Sequence, residues 1–137
     1  MKTVFGDSSY FFALINWRDV DHALATRHFE DSEDRILTTG WVAMEVADGF
    51  SKPEHRSVAL QLLDQFRTDP GFVFVPCSDE LMLTGLDHFH NRPDKSWSLT
   101  DCISFVVMDQ HKLTEALTAD HHFVQAGFVA LLKPKAS

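Results

Sequence analysis

Short apolar runs in this chain alternate with longer segments that repeat apolar residues at helical spacing. Runs at Thr3–Gly6, Arg35–Thr39 and Phe72–Val75 predict three strands. The third run is continuously apolar, which is typical of a strand covered on both faces. Two more strands are predicted at residues 115–118 and 127–132.

The segments between these strands predict helices, and several begin with residues that cap helices. Ser51 with Glu54, and Ser98 with Asp101, have the spacing of a capping box, and Ser78 suits a simple N-cap. The predicted helices cover residues Ser8–Ile15, 20–30, 41–50, 51–66, 78–89, 98–107 and a short helical turn at 120–126.

Alternation of strands and helices predicts an α/β fold. The expected architecture is a three-layer sandwich with a central, mostly parallel sheet flanked by helices. The 137 residues contain no repeat or Pro/Gly-rich linker, so residues 1–137 are expected to form a single domain. Sheets of this kind place their sites beyond the carboxyl ends of the strands.

The composition of the chain excludes some classes of function. A net charge of −8 argues against a broad basic surface for nucleic acid, although it does not exclude a nuclease whose acids are neutralised by metal. Cys77 and Cys102 are too few for a disulfide framework, and both are expected to be small buried hydrophobes in a reduced, cytoplasmic protein. No apolar stretch reaches the length of a membrane span.

Four carboxylates stand where the apolar pattern changes, and they are the principal candidates for chemistry: Asp7, Glu45, Asp101 and Asp120. Asp7 and Asp120 follow the first and fourth predicted strands, and Asp101 opens a helix. Acids among apolar neighbours are costly unless paired or metal-bound. Without matching lysines or arginines, converging acids favour Mg²⁺ or Mn²⁺.

Two hydroxyls are candidates for orienting these acids or their waters, Ser9 and Thr118. Ser9 equally suits a helix cap, and Thr118 equally suits an ordinary strand position. Each acid taken alone also has a structural explanation as a cap, turn or surface residue. Their joint placement favours a site.

Other residues that invite a functional interpretation are weaker candidates. Adjacent His121 and His122 are expected to face different ways, and no Cys or third His completes a zinc set, so exposed loop histidines are favoured. Arg92 and Lys95 precede Asp101 and suit phosphate contacts. Trp97 suits either base stacking or a core position, the latter being favoured.

The four acids stand in motifs that resemble the PIN-domain family. A strand ends in Asp7 followed by serines, and a strand ending in Thr39 precedes a helix that contains Glu45. The resemblance extends from residue 3 to about residue 132 and is most specific in two segments, Trp97-Ser-Leu-Thr-Asp-Cys-Ile-Ser-Phe-Val-Val107 and Leu117-Thr-Ala-Asp-His-His-Phe123. Gly40 departs from the pattern, because many relatives carry Asn or Asp there.

The resemblance implies a Mg²⁺- or Mn²⁺-dependent endoribonuclease, and the chain length is similar to that of VapC-type toxins. Such proteins act on RNA, are often homodimers and are held inactive by a cognate antitoxin. In our hypothesis Asp7 and Asp101 are central metal ligands, Glu45 binds directly or through water, and Asp120 holds a second ion. The apolar helices after Phe11 and around residues 50–66 suit a dimer face, an antitoxin groove or the core.

The sequence also leaves open functions other than that of a toxin ribonuclease. A phospho-acceptor receiver domain also combines a parallel sheet with acids, and residues 131–134 resemble its Lys-Pro element, yet paired acids after the first strand are missing. A haloacid-dehalogenase-type phosphotransferase needs Asp-x-Asp, and residue 9 is Ser9. A PIN domain without catalysis, or one without an antitoxin, also fits. Lys133 and Lys135 are interpreted as a solubilising tail.

Overall fold

A computed structural model describes residues 1–132, and within them five strands form one sheet. The strands are β1 Thr3–Gly6, β2 Arg35–Thr39, β3 Phe72–Val75, β4 Glu115–Leu117 and β5 Val129–Ala130. Their order is β3-β2-β1-β4-β5, and every neighbouring pair is parallel. The predicted α/β fold with a parallel sheet flanked by helices is confirmed.

The helices connect successive strands. They are α1 Ser8–Ile15, α2 His22–Asp31, α3 Gly40–Gly49, α4 Arg56–Thr68, α5 Asp79–Asn91, α6 Leu99–Gln110 and α7 His121–Gln125, with a 3-10 turn at Pro53–His55 before α4. No helix within residues 1–132 is long and apolar enough to cross a membrane.

Aromatic side chains fix the helices to the sheet. Phe11 of α1 packs against Phe66 of α4 at a ring-centroid distance of 4.8 Å. Elsewhere in the core, Phe105 of α6 and Phe123 of α7 meet edge to face at 5.0 Å. Phe5 in the central strand is fully buried and contacts Phe123. Buried aromatic contacts of this kind give the elements that carry the acids a fixed relative position.

Two sequence predictions about local structure are wrong. Ser51 forms no capping box, because a 3-10 turn with Lys52 at its N-cap position precedes α4. The Ser51 carbonyl instead accepts a 2.7 Å hydrogen bond from Arg56 Nε. Strand β3 is not covered on both faces, because it lies at the edge of the sheet and three of its four residues are only half-buried. Cys102 is buried as expected, whereas Cys77 is exposed.

The ends of two strands differ slightly from those that the sequence predicts. Strand β4 stops at Leu117, so Thr118 lies one residue beyond it, and only Val129–Ala130 of the predicted last strand pairs with the sheet. The capping predictions for Ser78 and for Ser98 with Asp101 are confirmed. Lys133, Pro134 and Lys135 lie outside the described residues.

The apolar surface around Phe50 is partly a groove and partly core. Phe66 is buried, but Phe12, Trp17 and Phe50 line a groove of about 450 Å³ between α1 and the end of α3. Trp17 is 72% exposed there. The groove therefore contributes aromatic surface that the described residues leave open to solvent.

The strand order places a topological switch point beside β1. The chain winds from β1 outward to β2 and β3, then returns to pair β4 on the other side of β1. Ligand sites of open parallel sheets lie at such points, outside the carboxyl ends of the strands. The same order differs from the 2-1-3-4-5 order of receiver-type sheets, which argues against the receiver alternative.

Candidate metal centre

Asp7 lies at the carboxyl end of β1 and is held by two hydroxyls. Thr118 Oγ1 donates a 2.8 Å hydrogen bond to Asp7 Oδ2, and Ser9 Oγ donates to the same oxygen at 3.1 Å. The Asp7 backbone N–H donates to the Leu117 carbonyl at 3.2 Å, which extends the pairing of β1 with β4. The carboxylate is only 6% exposed, so its orientation is set by these contacts.

Burial changes the ionisation of Asp7. Removal from water raises the pKa of Asp7 from 3.8 to about 6, and the negative charge of Asp101 adds to the rise. Hydrogen bonds from Thr118 and Ser9 act in the opposite direction and stabilise the anion. The net rise indicates a carboxylate that lacks a compensating cation.

Thr118 connects two of the acids. Besides donating to Asp7, its Oγ1 accepts a 3.0 Å hydrogen bond from the Asp120 backbone N–H. Ser9 Oγ lies 3.2 Å from Thr118 Oγ1 and accepts from the Ala119 backbone N–H. The two hydroxyls predicted to orient the acids therefore form a small network at the ends of β1 and β4.

Glu45 projects from α3 toward the three aspartates. Burial raises the pKa of Glu45, and so do the negative charges of Asp7, Asp101 and Asp120. A hydrogen bond from the Ser8 side chain partly offsets this effect. Electrostatic influence of this kind requires proximity, so the fold brings the four acids, here termed the acidic pocket, close to one another.

Asp101 takes part in the cap of α6 and also contacts His122. It is the third residue of α6, where Ser98 caps the helix by accepting from the Asp101 backbone N–H at 3.0 Å. In return, Asp101 Oδ2 accepts from the Ser98 backbone N–H at 3.2 Å. The same oxygen lies 3.0 Å from His122 Nδ1. Asp101 is therefore both a capping residue and a member of the acidic pocket.

Asp120 begins α7 and lies beside two histidines. Its Oδ1 accepts a 2.9 Å hydrogen bond from the His122 backbone N–H, as an N-cap residue does. His122 Nδ1 is 3.4 Å and His121 Nδ1 is 3.7 Å from the same oxygen. Asp120 is thus the one acid of the four that lies beside two imidazoles.

The interpretation of His122 as an exposed loop residue is wrong. His122 is in α7, its side chain is only 20% exposed, and it bridges Asp101 and Asp120. The expectation that His121 and His122 face different ways is also wrong, since their ring centroids are 4.4 Å apart. The sequence did contain a signal for the contact between Asp120 and His122. Asp120 is at an N-cap position, and the side chain of an N-cap residue turns toward the residue two positions further along the chain.

Charge balance decides whether the pocket suits a cation. Within residues 1–132, no lysine or arginine forms an ion pair with any of the four acids. Arg92 and Lys95 pair instead with Asp94. A cluster of carboxylate oxygens without fixed counterions fits a hard divalent cation such as Mg²⁺ or Mn²⁺.

Trp97 is a core residue. It is 5% exposed, and its indole N–H donates to Gln125 Oε1 at 3.0 Å. His88 stacks on the ring at 5.7 Å, and the Arg92 guanidinium lies 5.1 Å from its centroid. These neighbours leave the ring without the open face that stacking on a base requires.

Gly40 occupies a tight position. A Cβ added there would lie 2.6 Å from Cys77 Sγ and 3.0 Å from the Cys77 backbone nitrogen. Gly40 departs from the pattern described above, and the close approach of the segment after β3 explains why a glycine is needed there. Any polar side chain at residue 40 would require Cys77 to move.

The sheet topology and the pocket define the chain as an α/β domain with an acidic site at the switch point. The chain belongs to the PIN domain family, whose model matches residues 4–129. A comparison with curated proteins finds no significant sequence match.

Solved structures that share this fold include two proteins with low sequence identity to this chain. VapC20 from Mycobacterium tuberculosis, described as a sarcin-ricin loop cleaving toxin, is 22% identical with a TM-score of 0.82, covering 92% of this chain and 96% of its own. FitAcB from Neisseria gonorrhoeae is 15% identical with a TM-score of 0.59, covering 95% of each chain.

Proposed function

We propose that this PIN domain is a divalent-metal-dependent endoribonuclease that hydrolyses RNA phosphodiester bonds. The observation that carries the proposal is the group of four acids at the switch point of the sheet, which influence one another electrostatically and, within residues 1–132, have no lysine or arginine ion-pair partner. Family membership and the likeness to a toxin that cleaves RNA support it.

The acids have distinct proposed roles. Asp7 and Asp101 are the central ligands of Mg²⁺ or Mn²⁺, Glu45 binds directly or through water, and Asp120 contributes to a second ion. Bound divalent ions would activate water and stabilise charge on the leaving oxygen. Thr118 and Ser9 hold Asp7 in one orientation by hydrogen bonds to Oδ2, so the carboxylate needs little rearrangement to bind.

Cleavage of single-stranded RNA by the purified chain tests the proposal. Asp101→Asn, which keeps the shape and removes the charge, is expected to lower the rate at least about a hundredfold, as loss of a charge-stabilising group does. Asp109→Asn is the matched control, because Asp109 lies on the same helix and is exposed. Cleavage that persists in EDTA, or equally in both variants, would contradict the proposal.

The partners form part of the same proposal. We expect the protein to be the toxin of a type II toxin–antitoxin pair, a homodimer and cytoplasmic, because RNA and such antitoxins are found there. A neighbouring small reading frame whose product copurifies with the chain and abolishes RNA cleavage would support this. Cleavage unaffected by any neighbouring product would favour a stand-alone PIN nuclease, and acyl-phosphate formation from a small phosphodonor would favour the receiver alternative.

A further inference from the structure

We propose that Asp120, His121 and His122 form an additional site for a transition-metal ion, and that Zn²⁺ is the ion that fits it best. Each of the three residues offers one ligand atom, and these atoms all lie within 4.8 Å of one another. The site adjoins the acidic pocket and shares Asp120 with it. Its occupancy does not depend on the ribonuclease activity proposed above.

The distances from the Asp120 carboxylate to the two imidazoles are close to those between ligands of one ion. His122 Nδ1 and His121 Nδ1 lie 3.4 Å and 3.7 Å from Asp120 Oδ1. Ligand atoms bonded at about 2.0–2.2 Å to a tetrahedral zinc ion are roughly 3.3–3.6 Å apart. The third pair, between the two imidazoles, lies within the 4.8 Å that the whole group spans, so the three residues can face one ion.

The local fold holds these residues in place. Asp120 caps α7 through its 2.9 Å hydrogen bond from the His122 backbone, so the carboxylate stays beside the first turn. Phe123 follows directly, is fully buried and packs against Phe105. The imidazoles are thus presented by a helix whose next residue is part of the core.

The chemistry of the ligands selects the ion. Imidazole nitrogen suits Zn²⁺ and related transition metals, whereas Mg²⁺ prefers oxygen ligands and waters. Two histidines and one carboxylate leave a coordination position open, as in zinc sites with three protein ligands. His121 is 59% exposed, so an ion can reach the site from solvent.

The site is linked to the acidic pocket through His122. His122 Nδ1 lies 3.0 Å from Asp101 Oδ2 and 3.4 Å from Asp120 Oδ1, so this imidazole contacts two of the four acids. Zinc at this site would therefore engage Asp120, which the proposed Mg²⁺ centre also requires.

Calorimetric titration of the full chain with Zn²⁺ alone tests the proposal. Wild type is expected to bind Zn²⁺ most tightly at this site, and His121→Ala to weaken that binding at least about tenfold, because loss of a residue that only supports a metal ligand already costs that much. His121 is mostly exposed, so this variant should fold, which its thermal melting temperature checks. His111→Ala, which removes another exposed histidine, should bind as wild type does.

Asp7→Asn separates this site from the proposed nuclease centre. This variant should lose RNA cleavage but retain Zn²⁺ binding, because residue 7 is not a ligand of the zinc site. Co²⁺ supplies a second measurement, since its visible absorption reports nitrogen ligands and should be lost in His121→Ala. Equal Zn²⁺ affinity in wild type and His121→Ala, or loss of Zn²⁺ binding in Asp7→Asn comparable to that in His121→Ala, would overturn the proposal.

Discussion

Thr118 Oγ1 donates a 2.8 Å hydrogen bond to Asp7 Oδ2 across 111 positions of the sequence. Both groups are buried, so the bond joins the ends of β1 and β4 inside the protein rather than at its surface. The same hydroxyl accepts from the Asp120 backbone at 3.0 Å. One side chain therefore sets the relative position of two acids from different parts of the chain.

Thr118→Val removes these hydrogen bonds while keeping the branched shape. We expect Mg²⁺ affinity to fall about tenfold to hundredfold, as for other residues that orient metal ligands. Calorimetric titration measures this. Thr84→Val on α5 is the matched control, because the Thr84 hydroxyl donates to the Glu80 carbonyl on an exposed helix face, away from the four acids. Unchanged Mg²⁺ affinity in Thr118→Val would show that Asp7 needs no such support.

Asp7→Asn should stabilise the metal-free protein at neutral pH. The folded protein binds the Asp7 proton more tightly than the unfolded chain does, because burial raises its pKa from 3.8 to about 6. Ionisation of Asp7 therefore lowers the free energy of unfolding as pH rises from about 4 to 6. The rise in pKa corresponds to about 3 kcal/mol at neutral pH.

Thermal melting in EDTA at neutral pH and near pH 4 checks this. The variant should melt at higher temperature than wild type at neutral pH, and the difference should vanish at the lower pH, where Asp7 is protonated in the folded wild type. A variant that is less stable than wild type at neutral pH would contradict the prediction.

Mg²⁺ binding should weaken as pH falls through about 6. A carboxylate must lose its proton to bind the ion, and the pKa of Asp7 lies near 6. Below this pH binding should release roughly one proton. Calorimetry in two buffers that differ in ionisation enthalpy measures the released protons. Affinity that stays constant between neutral pH and pH 5 would exclude Asp7 as a ligand.

Gly85→Ala should destabilise the packing of α5 against α6. A Cβ at residue 85 would lie 2.3 Å from Ile103 Cγ1 and 3.4 Å from Ile103 Cα, and the glycine is buried. Overpacking of this kind costs about 1–3 kcal/mol. Urea denaturation measures it, with Ser57→Ala on the exposed start of α4 as control. Equal stability of Gly85→Ala and wild type would show that Ile103 relaxes freely.

The sequence could predict that the acids lie close together, because their positions depend on the regular alternation of strands and helices. Asp7 and Asp120 follow strands whose parallel pairing is implied by strand–helix alternation, so their meeting at one edge could be expected. The contacts of His122 could not be predicted from the sequence, because they depend on how α7 is rotated relative to α6. Burial of the apolar residues 72–75 was overestimated, because strand order decides which strand is at the edge and local pattern does not reveal order.

Strand β1 lies in the middle of the sheet, although it is the first to be synthesised. One of its neighbours, β2, follows soon after, but the other begins only at Glu115. A nascent chain therefore keeps one side of β1 unpaired until nearly all described residues have left the ribosome. Products of interrupted translation that stop before Thr118 would carry Asp7 without this hydroxyl partner, so only chains that extend past Asp120 would bring the four acids together.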